Sequence, residues 1–362
     1  MARHILVDKG IQPPWYIRSP YYEVIDREKG VIRCCICERR CYLKQGMKGV
    51  CWNHMNIDGE LYNIAYGLLS AVESRPVEIK PLFHYYPNST ALTFSGYGCN
   101  YRCPWCQNYL LSQVPPSPDR AFYMSPRELV REALRRGDDG LCASFNEPTI
   151  HFEYLIDLGE YASRHGFYLM MVTNGYMTIG SLEKLVEAGY TGFSIDIKGC
   201  PETYRRFLGA DPLIVFRNAR RLLDLGVHVE MVFLVVTGAN DTRECMEWVI
   251  GKHVDILGPD IPLHINRYYP ANRYHEPATS LKKLFEAYSI ARENNIEYVY
   301  VGNIGDERYQ DTYCPRCGKK LVERRGYRVT YWGLDGDKCP RCGYRIRLYG
   351  EYVPNKPTPL FM

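Results

Sequence analysis

Cys99, Cys103 and Cys106 stand in the run GCNYRCPWCQN, spaced C-x3-C-x2-C, directly after an apolar, strand-like stretch at Thr90–Ser95. Three thiols this close in sequence meet on one loop, and three thiolates do not close a four-ligand site. The loop therefore points to a metal centre with one open position, which is where a metal site does chemistry. A zinc knuckle, or three ligands of a larger structural site, is the plainer reading of the same spacing.

Two further cysteine groups flank this loop. Cys34, Cys37, Cys41 and Cys51 are spaced C-x2-C-x3-C-x9-C, with Gly46 and Gly49 permitting tight turns and Cys35 as a spare. Four ligands make a closed site, for zinc or for a second [4Fe-4S] cluster, since both accept four thiolates. His54 is either a substitute ligand or a packed side chain. Near the other end, Cys314-x2-Cys317 and Cys339-x2-Cys342 form two CPRCG knuckles, a zinc-ribbon pattern that iron also suits. Fifteen cysteines, an odd number gathered in tight groups, indicate metal ligation rather than disulfides and place the chain in the cytoplasm. Cys142, Cys200 and Cys245 belong to no group and read as core cysteines.

Between the flanking groups the pattern is βα. Strand candidates are 90–95, 141–145, 167–173, 191–197, 227–236 and 262–266, all short, apolar and rich in β-branched residues, as buried parallel strands are. A helix opens at Ser125-Pro126-Arg127-Glu128, a capping box with proline at its first position. Others over 182–188 and 213–225 end at Gly189 and Gly226. Six strands with intervening helices imply an α/β fold, either a parallel barrel or an open sheet, with ligands at the C-terminal strand ends. Polar side chains fall at those ends: Asn146 and Glu147 in FNEPT, Asn174 in TNGY, Asp196 and Lys198 in DIKG, and His264 in PLHINRYYP.

No apolar run reaches the length of about eighteen residues that a membrane span needs, and the N-terminal MARHILVDKGIQPPWY lacks the pattern of a secretory leader. The net charge of +4 is uneven: residues 314–362 hold eleven Lys/Arg against four Asp/Glu, so the other residues carry 34 against 37. A basic C-terminal surface that docks an acidic partner is one reading, and a solvated face is the other. Three zones follow: an N-terminal four-cysteine segment over 1–85, a βα region over 86–305, and a basic four-cysteine ribbon over 306–362.

Residues 86–305 resemble the partial (β/α)6 barrel, of TIM type, found in the radical-SAM superfamily, in the branch of pyruvate formate-lyase activating enzymes. Over nearly its full length the order of CxxCxxxC…GVC, KPLFHYYP, GCNYRCPWCQN, NEPT, SIDIKG, HINRYYP, YVYVGNIG and a terminal ribbon resembles AmmeMemoRadiSam-system enzymes. The resemblance implies a [4Fe-4S] cluster on Cys99, Cys103 and Cys106 with S-adenosylmethionine on its open iron. It places Trp105 beside the adenine, Asn146 and Glu147 at the methionine amino group, and Asn174, Asp196, Lys198 and His264 around the ribose and methionine. It also implies a flavodoxin- or ferredoxin-like reductant and association with AMMECR-type and Memo-type proteins. Two departures stand out. The common Gly-Gly-Glu-Pro is Phe145-Asn146-Glu147-Pro148, so the backbone there is expected to differ, and Val172 replaces an aspartate that helps hold a monovalent cation.

The leading expectation is a radical-SAM enzyme abstracting hydrogen from a protein or RNA docked on the basic ribbon. A glycyl-radical-enzyme activase, an enzyme acting on a small metabolite, and a non-catalytic metal- and nucleic-acid-binding protein are the alternatives. The last requires the polar strand ends to be coincidental.

Overall fold

The structure, a computed structural model, describes residues 14–354 and residue 356. Most of the N-terminal run read for a leader, and the end of the proline-rich tail, lie outside the described residues.

One eight-stranded sheet organises the chain. Its strands are β1 (Ala71–Pro76), β2 (Thr90–Ser95), β3 (Gly140–Ala143), β4 (Tyr168–Thr173), β5 (Tyr190–Ile197), β6 (His228–Val235), β7 (Leu263–Arg267) and β8 (Val299–Gly302). They lie side by side in chain order, β2 to β8 parallel and β1 antiparallel on the edge. Helices α1 (Pro126–Arg136), α2 (Phe152–Ser163), α3 (Ile179–Glu187), α4 (Pro212–Asp224), α5 (Arg243–Leu257) and α6 (Leu281–Glu293) fill the crossovers. Sequential order with a helix in each crossover is the wound arrangement of an open, partial barrel. It brings the C-terminal ends of the parallel strands to one rim.

Local chemistry accounts for the boundaries. At α1 the Ser125 side chain accepts from Glu128 N while Glu128 returns a bond to Ser125 N, and Gly137 closes the helix at φ +70°. Thr178 and Asp211 cap α3 and α4 through bonds from Ser181 N and Leu213 N. All six predicted strands form, within two residues of the expected ends. β3 stops at Ala143 because Phe145 turns into the left-handed region. The reading missed β8 and β1. In β1 the sequence AVESRP is half-exposed and polar, so it carries no strand signal of its own and forms on the edge of β2.

The main core joins the helices' apolar faces to the sheet and takes in Ile32, Ile36, Leu43 and Leu61 from the N-terminal segment. That segment forms two small antiparallel sheets. The C-terminal residues form a third, over Thr312–Tyr313, Lys320–Arg325 and Arg328–Trp332, with a smaller core that includes Phe83, Tyr298 and Tyr300. Arg324 is the rivet. Fully buried, it stacks 4.3 Å from the Phe83 ring and donates to Thr312 Oγ1, Gln310 O and Phe83 O at 2.8–2.9 Å.

One expectation is corrected. Cys200 and Cys245, read as unpaired core cysteines, form a disulfide with a Cα–Cα distance of 5.2 Å. Their 45-residue separation hides the pairing, because the turn after β5 and the first turn of α5 meet only once the crossover is folded. Cys142 is a buried core cysteine, as expected. Among the described residues no helix is long and apolar enough to cross a membrane.

Candidate active site

The three-cysteine loop leaves β2 and folds back through a short helix, Tyr109–Ser112. Gly98 makes the turn at φ +90°, and a Cβ there would sit 2.4 Å from Cys51 O, so only glycine fits. Arg102 ties this loop to the N-terminal segment: it donates to Cys99 O and Val50 O and lies 3.8 Å over the Trp52 ring. Burial pushes the Cys99 thiol well up and the Cys103 thiol up to about 11, with the nearby Lys198 ammonium opposing the latter. Left to themselves these thiols stay protonated; cationic iron or zinc draws off the protons.

The cysteines face a cavity of about 260 Å³ that also takes in Trp105, Asn146, Glu147, Asn174, Asp196 and Lys198. Thus all the predicted site residues of the βα region except His264 line one space. Trp105 is buried, edge-on to Phe207 and Tyr274 at 5.2 and 5.5 Å. Glu147 Oε1 accepts from Thr149 N, Thr149 Oγ1 and Thr173 Oγ1, and Oε2 accepts from Asn174 N at 2.7 Å. It therefore pins the end of β3 to that of β4 and leaves acceptor capacity on Oε2. Burial raises its pKa, and these donors oppose the rise. Lys198 Nζ lies 3.0 Å from Asp196 Oδ2. Burial alone would lower the lysine, but attraction to Asp196 and Cys103 outweighs it and holds its pKa above the ordinary value.

His264 sits elsewhere. Its Nε2 is 2.6 Å from Glu230 Oε2, with His228 Nε2 at 2.9 Å from the other oxygen. Burial would raise Glu230, but the bonds from His228 and His264 outweigh it and hold the carboxylate well below its usual range. The His264 ring stacks on Tyr300 and lines a second cavity, about 450 Å³, which adjoins the first through Asn108, Phe145, Val172, Asn266 and Asn303. Asn100 was also missed. Its Oδ1 accepts from Asn174 Nδ2 at 2.7 Å, its side chain reaches Cys37 and Cys99, and buried Nδ2 has no hydrogen-bond partner among the described residues. A lone asparagine between two cysteines carries no pattern that would single it out. Phe145, at the first position of the Phe-Asn-Glu-Pro run, holds φ +68°, a conformation that glycine adopts more readily.

Sulfur spacing separates the three cysteine groups. Cys314, Cys317, Cys339 and Cys342 have all four sulfurs within 4.8 Å, with pairs at 3.5 and 3.7 Å. A tetrahedral Zn–S bond of about 2.3 Å requires edges of about 3.8 Å, so this quartet fits one ion. Neither other group closes to that spacing among the described residues. A cubane sets its thiolates on separate irons and so needs them further apart. In the N-terminal group His54 Nδ1 faces Cys51 Sγ at 3.9 Å and Nε2 meets Glu153 at 3.1 Å.

Residues 93–250 match the Radical SAM superfamily. An uncharacterized protein of Methanocaldococcus jannaschii is 36% identical over 332 residues, 91% of this chain and 98% of that protein. A second protein of that organism, provisionally named a glycyl-radical enzyme activating enzyme, is 26% identical over 124 residues, 34% of this chain; the chain spans about half of it, 49%. Among solved structures, a radical SAM methyltransferase from Sphaerobacter thermophilus aligns with a TM-score of 0.47 at 13% identity, covering 83% of this chain and 80% of that one.

Proposed function

The chain belongs to the radical SAM superfamily, and from that premise we propose that Cys99, Cys103 and Cys106 hold a [4Fe-4S] cluster serving hydrogen abstraction from a small molecule in the adjoining cavity. With S-adenosylmethionine bound, the cluster supplies one-electron reductive cleavage to a 5′-deoxyadenosyl radical. The chain's own residues orient and shield. Glu147 Oε2 and Asn146 are placed to take the methionine amino group, and Asp196 and Lys198 to bind the polar edge of the cofactor. Trp105 and its aromatic neighbours keep water from the adenine side.

The observation that carries the small-molecule reading is the composition of the second cavity's wall. Gln310 and Tyr327, from the C-terminal segment, close a space of about 450 Å³, within the usual range for small-molecule sites. That segment thus supports the cavity rather than an open docking face. About half of its basic charge is also engaged: Arg324 is buried, and Lys320, Arg325, Arg345, Arg347 and Lys356 are paired with carboxylates. A protein substrate, as for an activase, is the second reading; it rests on the relative so named, which this chain matches over about half its length.

The flanking groups are read by spacing: zinc on the C-terminal quartet, and a second [4Fe-4S] cluster on Cys34, Cys37, Cys41 and Cys51. The test is anaerobic. Reconstituted protein receives S-adenosylmethionine, a reductant, and host lysate divided into small-molecule and macromolecular fractions. Release of 5′-deoxyadenosine stimulated by the small-molecule fraction is expected. Stimulation by the macromolecular fraction alone would return the assignment to a protein or RNA target.

A further inference from the structure

We propose that the second cavity binds a small anion, a carboxylate or phosphate group of the substrate, on the ammonium of Lys80. This rests on the reading of that cavity as the substrate site. Lys80 opens the KPLFHYYP run, whose role the cofactor site leaves unexplained, and is only 5% exposed while lining the cavity. No carboxylate lies within ion-pairing distance of Nζ, and no hydrogen bond from it is found, among the described residues. Its one close partner is the Phe145 ring, 4.5 Å away. An ammonium removed from water without a counter-ion is costly, and burial accordingly pulls this lysine's pKa down. An anion entering the cavity would remove the cost.

The other acidic and basic side chains on the wall already have partners. Arg75 is paired with Glu73, and His264 with Glu230. Glu78 Oε1 accepts from Asn88 N, and burial pushes its carboxyl up to about 7, so it is only half ionised near neutrality. That leaves Lys80 as the cationic anchor.

Phe145 gives the anchor a direction. Its left-handed φ is a conformation that costs a residue with a side chain and that functional sites retain. It holds the ring in the wall common to both cavities, beneath the Lys80 ammonium. A molecule with its anion on Lys80 therefore extends along Phe145 toward the cysteine loop. Asn266 lines both cavities and can take a second polar group on the way. Gly302 permits this, since a Cβ there would lie 2.2 Å from Asn266 Oδ1.

Calorimetry on the full-length, cluster-loaded protein with S-adenosylmethionine tests the assignment, using malonate, inorganic phosphate and neutral malonamide as probes. One equivalent of malonate or phosphate is expected to bind, and the tighter of the two identifies the class of anion. Malonamide is expected not to bind. Lys80→Met should weaken the anion at least tenfold, about the worth of a charge-assisted hydrogen bond, and Lys80→Arg should retain it. Equal binding of malonamide, no anion binding at millimolar concentration, or unchanged affinity in Lys80→Met overturns the proposal. Should Lys80→Met fail to fold, the contrast of malonate with malonamide on the wild type decides. Stimulation of 5′-deoxyadenosine release in the same wild-type preparation by the small-molecule fraction tests the underlying reading separately. Such stimulation without anion binding removes only the Lys80 assignment.

Discussion

Glu147 shows how one side chain joins architecture to the site. Its carboxylate receives donors from both sides of the β3–β4 junction, so an amide there would turn one acceptor into a donor facing Thr149, Thr173 or Asn174. Glu147→Gln should cost about 2 kcal/mol of folding stability in the metal-free protein and weaken S-adenosylmethionine binding as well. Denaturant melts and equilibrium dialysis would measure the two losses; full stability with lost binding would make Glu147 a ligand and not a staple. Glu78 gives a pH signature of opposite sense to an ion-paired acid. Burial raises its folded pKa to about 7 from 4.5, so the folded state holds its proton more tightly than the unfolded chain. Stability from this group is highest below pH 4.5, falls as the pH rises to 7, and is flat above, a change of about 3 kcal/mol. Glu78→Gln, which keeps an acceptor for Asn88 N, should therefore stabilise at pH 8 and change little at pH 4.5. Urea melts across that range that run parallel to wild type would refute it.

At the scale of elements, what the sequence disclosed and what it withheld follow from the range of the interactions. Cys99, Cys103 and Cys106 are legible because their ligand spacing is local, and Asn174, Asp196 and Lys198 because buried parallel strands announce their own ends. Lys80 is not, since a lysine's missing partner is a property of the folded cavity and not of its neighbours in sequence. His264 lies at a correctly read strand end yet faces Glu230 and the second cavity, which strand period alone does not resolve. The Cys200–Cys245 disulfide belongs with these non-local features. It ties the end of β5, two residues past Lys198, to the start of α5, closing a 45-residue separation. Loop-closure entropy gives it roughly 4 kcal/mol at most. Thiol reductant should lower the wild-type denaturation midpoint, and Cys245→Ser should show the lowered midpoint with no further response. A wild type indifferent to reductant would mean that the tie contributes nothing, and the cofactor assays, run under strong reductant, would then need no correction for it.

At the scale of the molecule, the flanking cysteine groups are built into the central fold and not appended to it, and this governs how metal loss propagates. The N-terminal quartet meets the three-cysteine loop directly, through Gly98 against Cys51, Arg102 on Trp52, and Asn100 between Cys37 and Cys99. The C-terminal segment shares Phe83 and Tyr300 with the sheet, and His84 bridges Tyr300 Oη and Arg347 O at 2.6 and 2.7 Å. Cys317→Ala should thus release zinc and leave the iron in place, while disturbing the cavity that Gln310 and Tyr327 close. Uncoupled cleavage should persist and substrate stimulation should fall. Cys37→Ala should act closer to the chemistry: iron and acid-labile sulfide should drop from about eight to about four per chain if the quartet holds a cubane. An unchanged iron count with one zinc lost would assign zinc there instead. The wider spacing of these four sulfurs favours the cubane, whose thiolates sit on separate irons, over a single ion.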